Sequence, residues 1–134
     1  MNEHLRRSKK QEKRGAKLLG GSVNAGSGNK SRKNDVRTDD WSIEYKTTTA
    51  ASYSLKLADL KLASRHAVLE HRSALFGIDF SGSGGTERYV VIAEGDLHGV
   101  LHEIEQLRVE LEDAQDRLLD KQIELDFAWS LNSE

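Results

Sequence analysis

Residues 35–46, DVRTDDWSIEYK, restrict the fold of this chain more than any other stretch. Their composition predicts a short strand, a turn at Asp39 and Asp40, and a second strand that starts at Trp41. A period of two separates the side chains of the second strand into two faces: one holds Trp41, Ile43 and Tyr45, and the other holds Ser42, Glu44 and Lys46. The first face is the expected core side, so the second carries a carboxylate and an ammonium two residues apart.

The polar face lies beside Asp35, which we place on the neighbouring strand. Asp35 and Glu44 then converge at the end of a sheet, and paired carboxylates of this kind suit Mg²⁺ or Mn²⁺. The alternative is an exposed salt pair between Glu44 and Lys46, with Asp35 as a turn cap.

The length of 134 residues fits one domain with an appendage. The chain has no cysteine, which excludes disulfides and thiolate metal sites and fits a reducing cytosol. It has no apolar run near the roughly 18 residues that a membrane span needs, and no apolar stretch follows its basic N-terminal residues. We therefore expect a cytoplasmic protein that does not contact a membrane.

Charge is divided unevenly along the chain. Residues 1–93 contain 17 lysines and arginines against 10 aspartates and glutamates, and residues 94–134 contain 3 against 12, which together give the net charge of −2. The first part is a candidate polyanion binder, and the acidic remainder is not. The alternative is that solvated helices simply differ in charge.

Residues 3–19 are predicted to form a helix that ends at the pair Gly20-Gly21. Residues 20–34 follow as a mobile loop rich in glycine, serine, asparagine and lysine, with at most one short strand near Val23. The cations of this loop precede Asp35 directly, which is the arrangement that a phosphate backbone requires. A solvated linker is the alternative.

The middle of the chain predicts the remaining elements of a sheet domain. Residues 47–57 form either a short strand or the lead into a helix, and helical spacing predicts that helix from about Leu57 to Glu70. Residues 73–80 have the length of a strand, and the β-branched run at 88–94 predicts a strand buried on both faces. This order predicts an α/β domain with a central mixed sheet flanked by helices.

A heptad pattern begins at Asp96. An apolar residue recurs every seven positions, and a second series lies three residues further on, weakened at Lys121. The two series are Leu97, Ile104, Leu111, Leu118 and Leu125, and Val100, Leu107, Ala114, Lys121 and Ala128. Such a helix pairs with its own copy or packs along the domain. We favour self-association, with residues 96–134 as a coiled-coil-like dimerisation helix.

Asp35, followed nine residues later by Glu44-Tyr45-Lys46, resembles the core of the PD-(D/E)XK nuclease superfamily, which is an aspartate on one strand and E-x-K on the next. The upstream helix with Glu12 and the small-residue loop with Ser27 are similar to features of archaeal-type Holliday junction resolvases, including those carried by phages. The resemblance covers residues 7–95 and departs from the motif's name at Asn34, where proline would stand. It implies a restriction-endonuclease-like fold for residues 1–95, in a bacterial or phage-infected host cell.

The resemblance also implies roles for individual residues. Asp35, Glu44 and the backbone carbonyl of Tyr45 would hold Mg²⁺ or Mn²⁺. Lys46 would act on the attacking water or on the phosphate, and Glu12 would hold a second metal ion or position a ligand. The residues implied in contact with DNA phosphates are Arg14, Ser27, Asn29, Lys30, Arg32, Lys33 and Arg37.

These roles predict a metal-dependent, structure-selective DNA endonuclease that resolves Holliday junctions by hydrolysing phosphodiester bonds. A four-way junction is roughly two-fold, so a homodimer would supply the two active sites. The alternatives are a non-catalytic DNA-binding scaffold that oligomerises through its C-terminal helix, and a sequence-specific nuclease.

Overall fold

The computed structural model describes residues 2–24 and 33–133. The chain divides into two compact units, Met1–Ala93 and Glu94–Glu134. The elements of the first unit are α1 (Glu3–Leu19), β1 (Ser22–Val23), β2 (Val36–Arg37), β3 (Trp41–Thr48), α2 (Leu57–Leu69), β4 (Ser73–Gly82) and β5 (Gly85–Ile92).

The five strands form one mixed sheet in the order β1-β2-β3-β4-β5. β1, β2 and β3 are antiparallel neighbours, β4 runs parallel to β3, and β5 returns antiparallel to β4. The connection between the parallel strands β3 and β4 contains α2, as a parallel pair requires a crossover. The predicted α/β class and mixed sheet are confirmed.

Both ends of α1 are set by local signals in the sequence. The Asn2 side chain accepts a hydrogen bond from the Leu5 amide at 2.8 Å, which satisfies one of the free N–H groups of the first turn. Gly20 ends the helix with φ at 69°, a left-handed conformation that glycine adopts without a Cβ penalty, and its N–H donates to the Ala16 carbonyl. The predicted bounds of this helix are confirmed.

Helix α1 covers one face of the sheet. Ile43 and Val36 are fully buried beneath it, together with Tyr45, whose side chain is 8% exposed. The Tyr45 ring lies against Gly15 of α1 and Gly77 of β4, so closely that a Cβ at either glycine would overlap the ring. Two missing side chains thus make the space that lets an aromatic ring fill the gap between α1 and the sheet.

Helix α2 covers the opposite face, where Ala63 packs with Phe76 and Ile78 of β4. The polar side of β3 is therefore also enclosed, and Ser42 is fully buried. Ile43 is a core residue as predicted. The Glu44 side of β3, however, faces a cleft that α2 covers, rather than open solvent.

Strand β5 is the outer strand of the sheet beside β4. The prediction that its β-branched run is buried on both faces is wrong, since Tyr89 and Val90 are 56% and 55% exposed. The helices α1 and α2 pack chiefly on β3 and β4. Apolar residues in a strand indicate extended backbone but do not show whether a helix covers that strand. Residues 52–56 have no regular structure, so they are the lead into α2.

The second unit is a single helix of 39 residues, α3 (Glu94–Asn132), in which no described residue is buried. Its heptad leucines are strongly exposed, from 41% at Leu97 to 70% at Leu118. None of the described helices contains an apolar stretch that is long enough to cross a bilayer.

Candidate active site

Asp35, Glu44 and Lys46 line one cleft, with a volume of about 180 Å³, between α2 and the sheet. Asp35 lies just before β2, and the other two residues lie on β3. The remaining lining side chains include Lys33, Asn34, Asp59, Ala63, His66 and Phe76. Three of the four residues that the sequence indicated as catalytic are therefore brought together, whereas the fourth, Glu12, lies on α1 and is not among the lining residues.

The Asp35 carboxylate is fixed by the backbone of β3. The regular pairing of β2 with β3 ends where Val36 lies opposite Ile43. Beyond that point, Asp35 Oδ2 accepts a hydrogen bond of 2.7 Å from the Tyr45 amide, so its side chain continues the pairing of the strands. Burial raises the pKa of Asp35, while the Tyr45 hydrogen bond and the charge of Lys46 oppose that rise.

Glu44 and Lys46 form an ion pair within the cleft, with 3.4 Å between Glu44 Oε1 and Lys46 Nζ. The pair alone would lower the pKa of Glu44. Burial and the nearby charge of Asp35 outweigh it and raise that pKa to about 7. Burial also lowers the pKa of Lys46, but the Glu44 carboxylate more than offsets this, so the net shift is upward and Lys46 stays protonated.

Glu12 of α1 acts on the same carboxylates through its charge. Burial raises its pKa, and the charge of Asp35 raises it further, against the effect of Lys9. The charge of Glu12 in turn contributes to the raised pKa of Glu44. Within residues 2–24 and 33–133, however, no three His, Cys, Asp or Glu side chains are grouped closely enough to hold one metal ion. Asp35 and Glu44, the two carboxylates that the sequence analysis assigned to a cation, both line the cleft.

Two carboxylates are a donor set that Mg²⁺ accepts, because this ion is usually held by one or two carboxylates together with water and substrate phosphates. The charge of Asp35 raises the cost of ionising Glu44, and a cation beside both carboxylates would lower that cost. The Tyr45 carbonyl lies on β3 immediately after Glu44. The donor types in the cleft are thus those that a hard divalent cation accepts.

The residues predicted to contact DNA fall into three groups. Lys33 lines the cleft, and Arg37 is exposed on β2. Arg14 instead contacts Asp79, at 3.8 Å. Asp79 pairs with Thr47, which follows Lys46 on β3. Since successive side chains of a strand point to opposite faces, Arg14 and Asp79 lie on the face of the sheet opposite Lys46. Arg14 is therefore not part of the Asp35 cleft. The other four, Ser27, Asn29, Lys30 and Arg32, lie outside the described residues.

Asn34 and His66 line the cleft, and the sequence analysis assigned neither of them a functional role. Asn34 is 2% exposed, and its Nδ2 donates to Ser42 Oγ at 2.9 Å and to the Ala63 carbonyl at 3.0 Å. These bonds orient the amide so that Asn34 Oδ1 faces His66 Nδ1 at 3.3 Å. Nδ1 is then the donor, and Nε2 of a neutral His66 keeps its lone pair. No local signal marks this contact, because it joins a loop to a helix 32 residues away.

Comparison with protein-family models, with curated proteins and with solved structures gives no match to this chain.

Proposed function

We propose that this chain is a metal-dependent, structure-selective DNA endonuclease with a restriction-endonuclease-like fold, and that it hydrolyses phosphodiester bonds at branched DNA. One observation carries the proposal: Asp35, just before β2, lines a single cleft together with Glu44 and Lys46 of the neighbouring strand β3. The order of helix, antiparallel strands, helix and parallel strand supports the resemblance to the PD-(D/E)XK nucleases. The test is cleavage of a synthetic four-way junction with Mg²⁺, and with EDTA as the control.

The residues of the cleft divide the work of hydrolysis. Asp35 and Glu44 would hold Mg²⁺ or Mn²⁺, and the ion would supply positive charge to polarise a phosphate and to lower the pKa of a water molecule. The Tyr45 amide holds Asp35 in place. Lys46 keeps its proton beside Glu44 and neutralises the charge that develops on the scissile phosphate. Glu12 tunes the affinity of the two carboxylates for protons and for the cation through its own charge.

His66 is assigned to the same reaction as a positioning residue, because Asn34 orients its ring toward the cleft. We expect His66→Gln to slow cleavage about 10- to 100-fold and to leave junction binding within about twofold. His4→Gln, which changes the same residue type on an exposed turn of α1, is the control. Rates measured under single-turnover conditions decide the matter. Equal rates for wild type and His66→Gln would remove His66 from the reaction.

A homodimer formed through α3 completes the proposal, because symmetric cleavage of a four-way junction needs two active sites. We expect the wild type to sediment as a dimer at micromolar concentration. Leu111→Glu, at a seam position that is 58% exposed, should weaken the dimer at least about tenfold, since it buries like charges. Val109→Glu, 49% exposed and off the seam, should change it little. A monomeric wild type at this concentration would refute the dimer.

A further inference from the structure

A second cleft, with a volume of about 280 Å³, lies on the α1 face of the sheet. Arg7, Lys10 and Arg14 of α1 line one side of it, and Arg88 of β5 lines another. Thr47 of β3 is also part of the lining. The two clefts therefore lie on opposite faces of β3: Glu44 and Lys46 line the first cleft, and Thr47 lines the second.

The second cleft has a large excess of positive charge. Its four cationic side chains surround one carboxylate, Asp79, which is 5% exposed. Asp79 Oδ1 lies 3.8 Å from Arg14 Nη2, and its Oδ2 lies 3.5 Å from Arg88 Nε. This buried aspartate holds two guanidinium groups in position and balances the charge of only one of them. The rest of the positive charge has no counterpart among the described residues of the cleft.

The same cleft gathers polar atoms that lack a hydrogen-bond partner. Five buried side-chain atoms have no partner among the described residues, and four of them belong to side chains that line this cleft. Three of the four are donors on Arg7, Arg14 and Thr47, and Thr47 itself is only 8% exposed. Buried donors without acceptors are rare in folded proteins because each costs free energy. Their grouping in one basic cleft therefore points to an external acceptor.

Gln11 supplies the fourth atom and connects the two clefts. Its Nε2 donates to the Lys46 carbonyl at 2.7 Å, which fixes the side-chain amide, and its Oε1 has no partner among the described residues. Oε1 is an acceptor, so it meets a donor such as water rather than an anion. This hydrogen bond links Gln11 of the basic cleft to the backbone of Lys46, the residue that we place at the scissile phosphate.

We propose that this basic cleft binds a backbone phosphate of nucleic acid, at a position other than the scissile phosphate. Guanidinium groups and a hydroxyl match the oxygens of a phosphodiester, and backbone phosphates account for most protein contacts to DNA. The proposal rests on the proposed function, since it takes DNA as the ligand. Arg14 then contacts DNA as the resemblance implied, but from the face opposite Asp35.

The test measures DNA binding in EDTA, without cleavage, by the fluorescence anisotropy of a labelled four-way junction over a range of NaCl concentrations. The informative variants are Arg7→Gln and Thr47→Val, because neither removes an ion pair or hydrogen bond of the described residues. Arg7→Gln should weaken binding about tenfold and reduce the slope of log K against log salt by about one. Thr47→Val should weaken binding about threefold to tenfold with the slope unchanged, since the hydroxyl is neutral. Lys17→Gln, an exposed cation near the end of α1, should have less than a twofold effect.

Binding by both variants that matches Lys17→Gln would overturn the assignment of the cleft. A second arm adds inorganic phosphate at constant ionic strength and follows the melting temperature. If phosphate stabilises the wild type but not Thr47→Val, while all variants bind the junction equally, the ligand is a free phosphate and the backbone assignment falls. The proposed nuclease activity is tested separately. A wild type that binds through the cleft but never cuts refutes only the nuclease, and a wild type that cuts while the variants bind normally refutes only the cleft.

Discussion

Replacing Asp35 with asparagine is expected to slow Mg²⁺-dependent cleavage of a synthetic four-way junction at least about 100-fold. The reason is local: Asp35 is one of the two carboxylates of the cleft, and the substitution removes its charge. The fold should survive, because the asparagine side-chain oxygen can still accept the hydrogen bond that the Tyr45 amide donates to Asp35 at 2.7 Å. Single-turnover cleavage rates and junction affinity, measured on the same preparation, separate catalysis from binding.

The controls for Asp35→Asn address the competing functions. Asp39→Asn changes an exposed carboxylate in the turn before β3 and should cut at the wild-type rate. Lys46→Ala should slow cleavage, since it removes the cation that pairs with Glu44. If the wild type binds but never cuts any branched, flapped or linear duplex, the non-catalytic scaffold is the better account. Equal cutting of junctions with unrelated arm sequences would exclude a sequence-specific nuclease.

Replacing Glu44 with glutamine is expected to stabilise the protein at pH 8 by about 2 kcal/mol and to leave its stability unchanged at pH 4. The pKa of Glu44 is raised from 4.5 to about 7 by burial and by Asp35. The folded state therefore holds its proton more tightly than the unfolded state does. The neutral Glu44 side chain therefore contributes to the free energy of unfolding. That contribution is fully present below pH 4.5 and is lost as the pH rises through 7. Glutamine does not ionise, so the Glu44→Gln variant keeps this contribution to stability at pH 8.

Urea unfolding at pH 4 and pH 8 measures this effect, with Glu70→Gln as the contrasting variant. Glu70 Oε2 accepts a hydrogen bond from Arg72 at 3.0 Å, so its neutralisation should destabilise the protein at pH 8. Adding Mg²⁺ should raise the stability of the wild type more than that of Glu44→Gln, because a bound cation offsets the repulsion between Asp35 and Glu44. Loss of stability in Glu44→Gln at pH 8 would instead mean that the pair with Lys46 is structural.

The features that the sequence predicted correctly are those with local causes. The bounds of α1 follow from two residues at its ends. Asn2 accepts a hydrogen bond from an amide of the first turn, and Gly20 ends the helix in a left-handed conformation. The alternation along β3 placed Ile43 in the core, because side chains of a strand alternate between faces whatever lies above them. The short spacing between Asp35 and Glu44 likewise led to the expectation that they lie close together, and both line one cleft, although Asp35 lies just before β2 rather than on a strand.

The features that only the tertiary structure decided depend on how distant segments dock. The exposure of Tyr89 reflects which strands the helices cover, and no pattern within β5 encodes that. Asn34 contacts Ala63 and His66 across 29 and 32 residues, and Arg14 meets Asp79 because α1 packs on the sheet, chiefly on β3. Periodicity and capping act over a few residues, whereas burial and the pairing of charges depend on surfaces that exist only once the helices lie against the sheet.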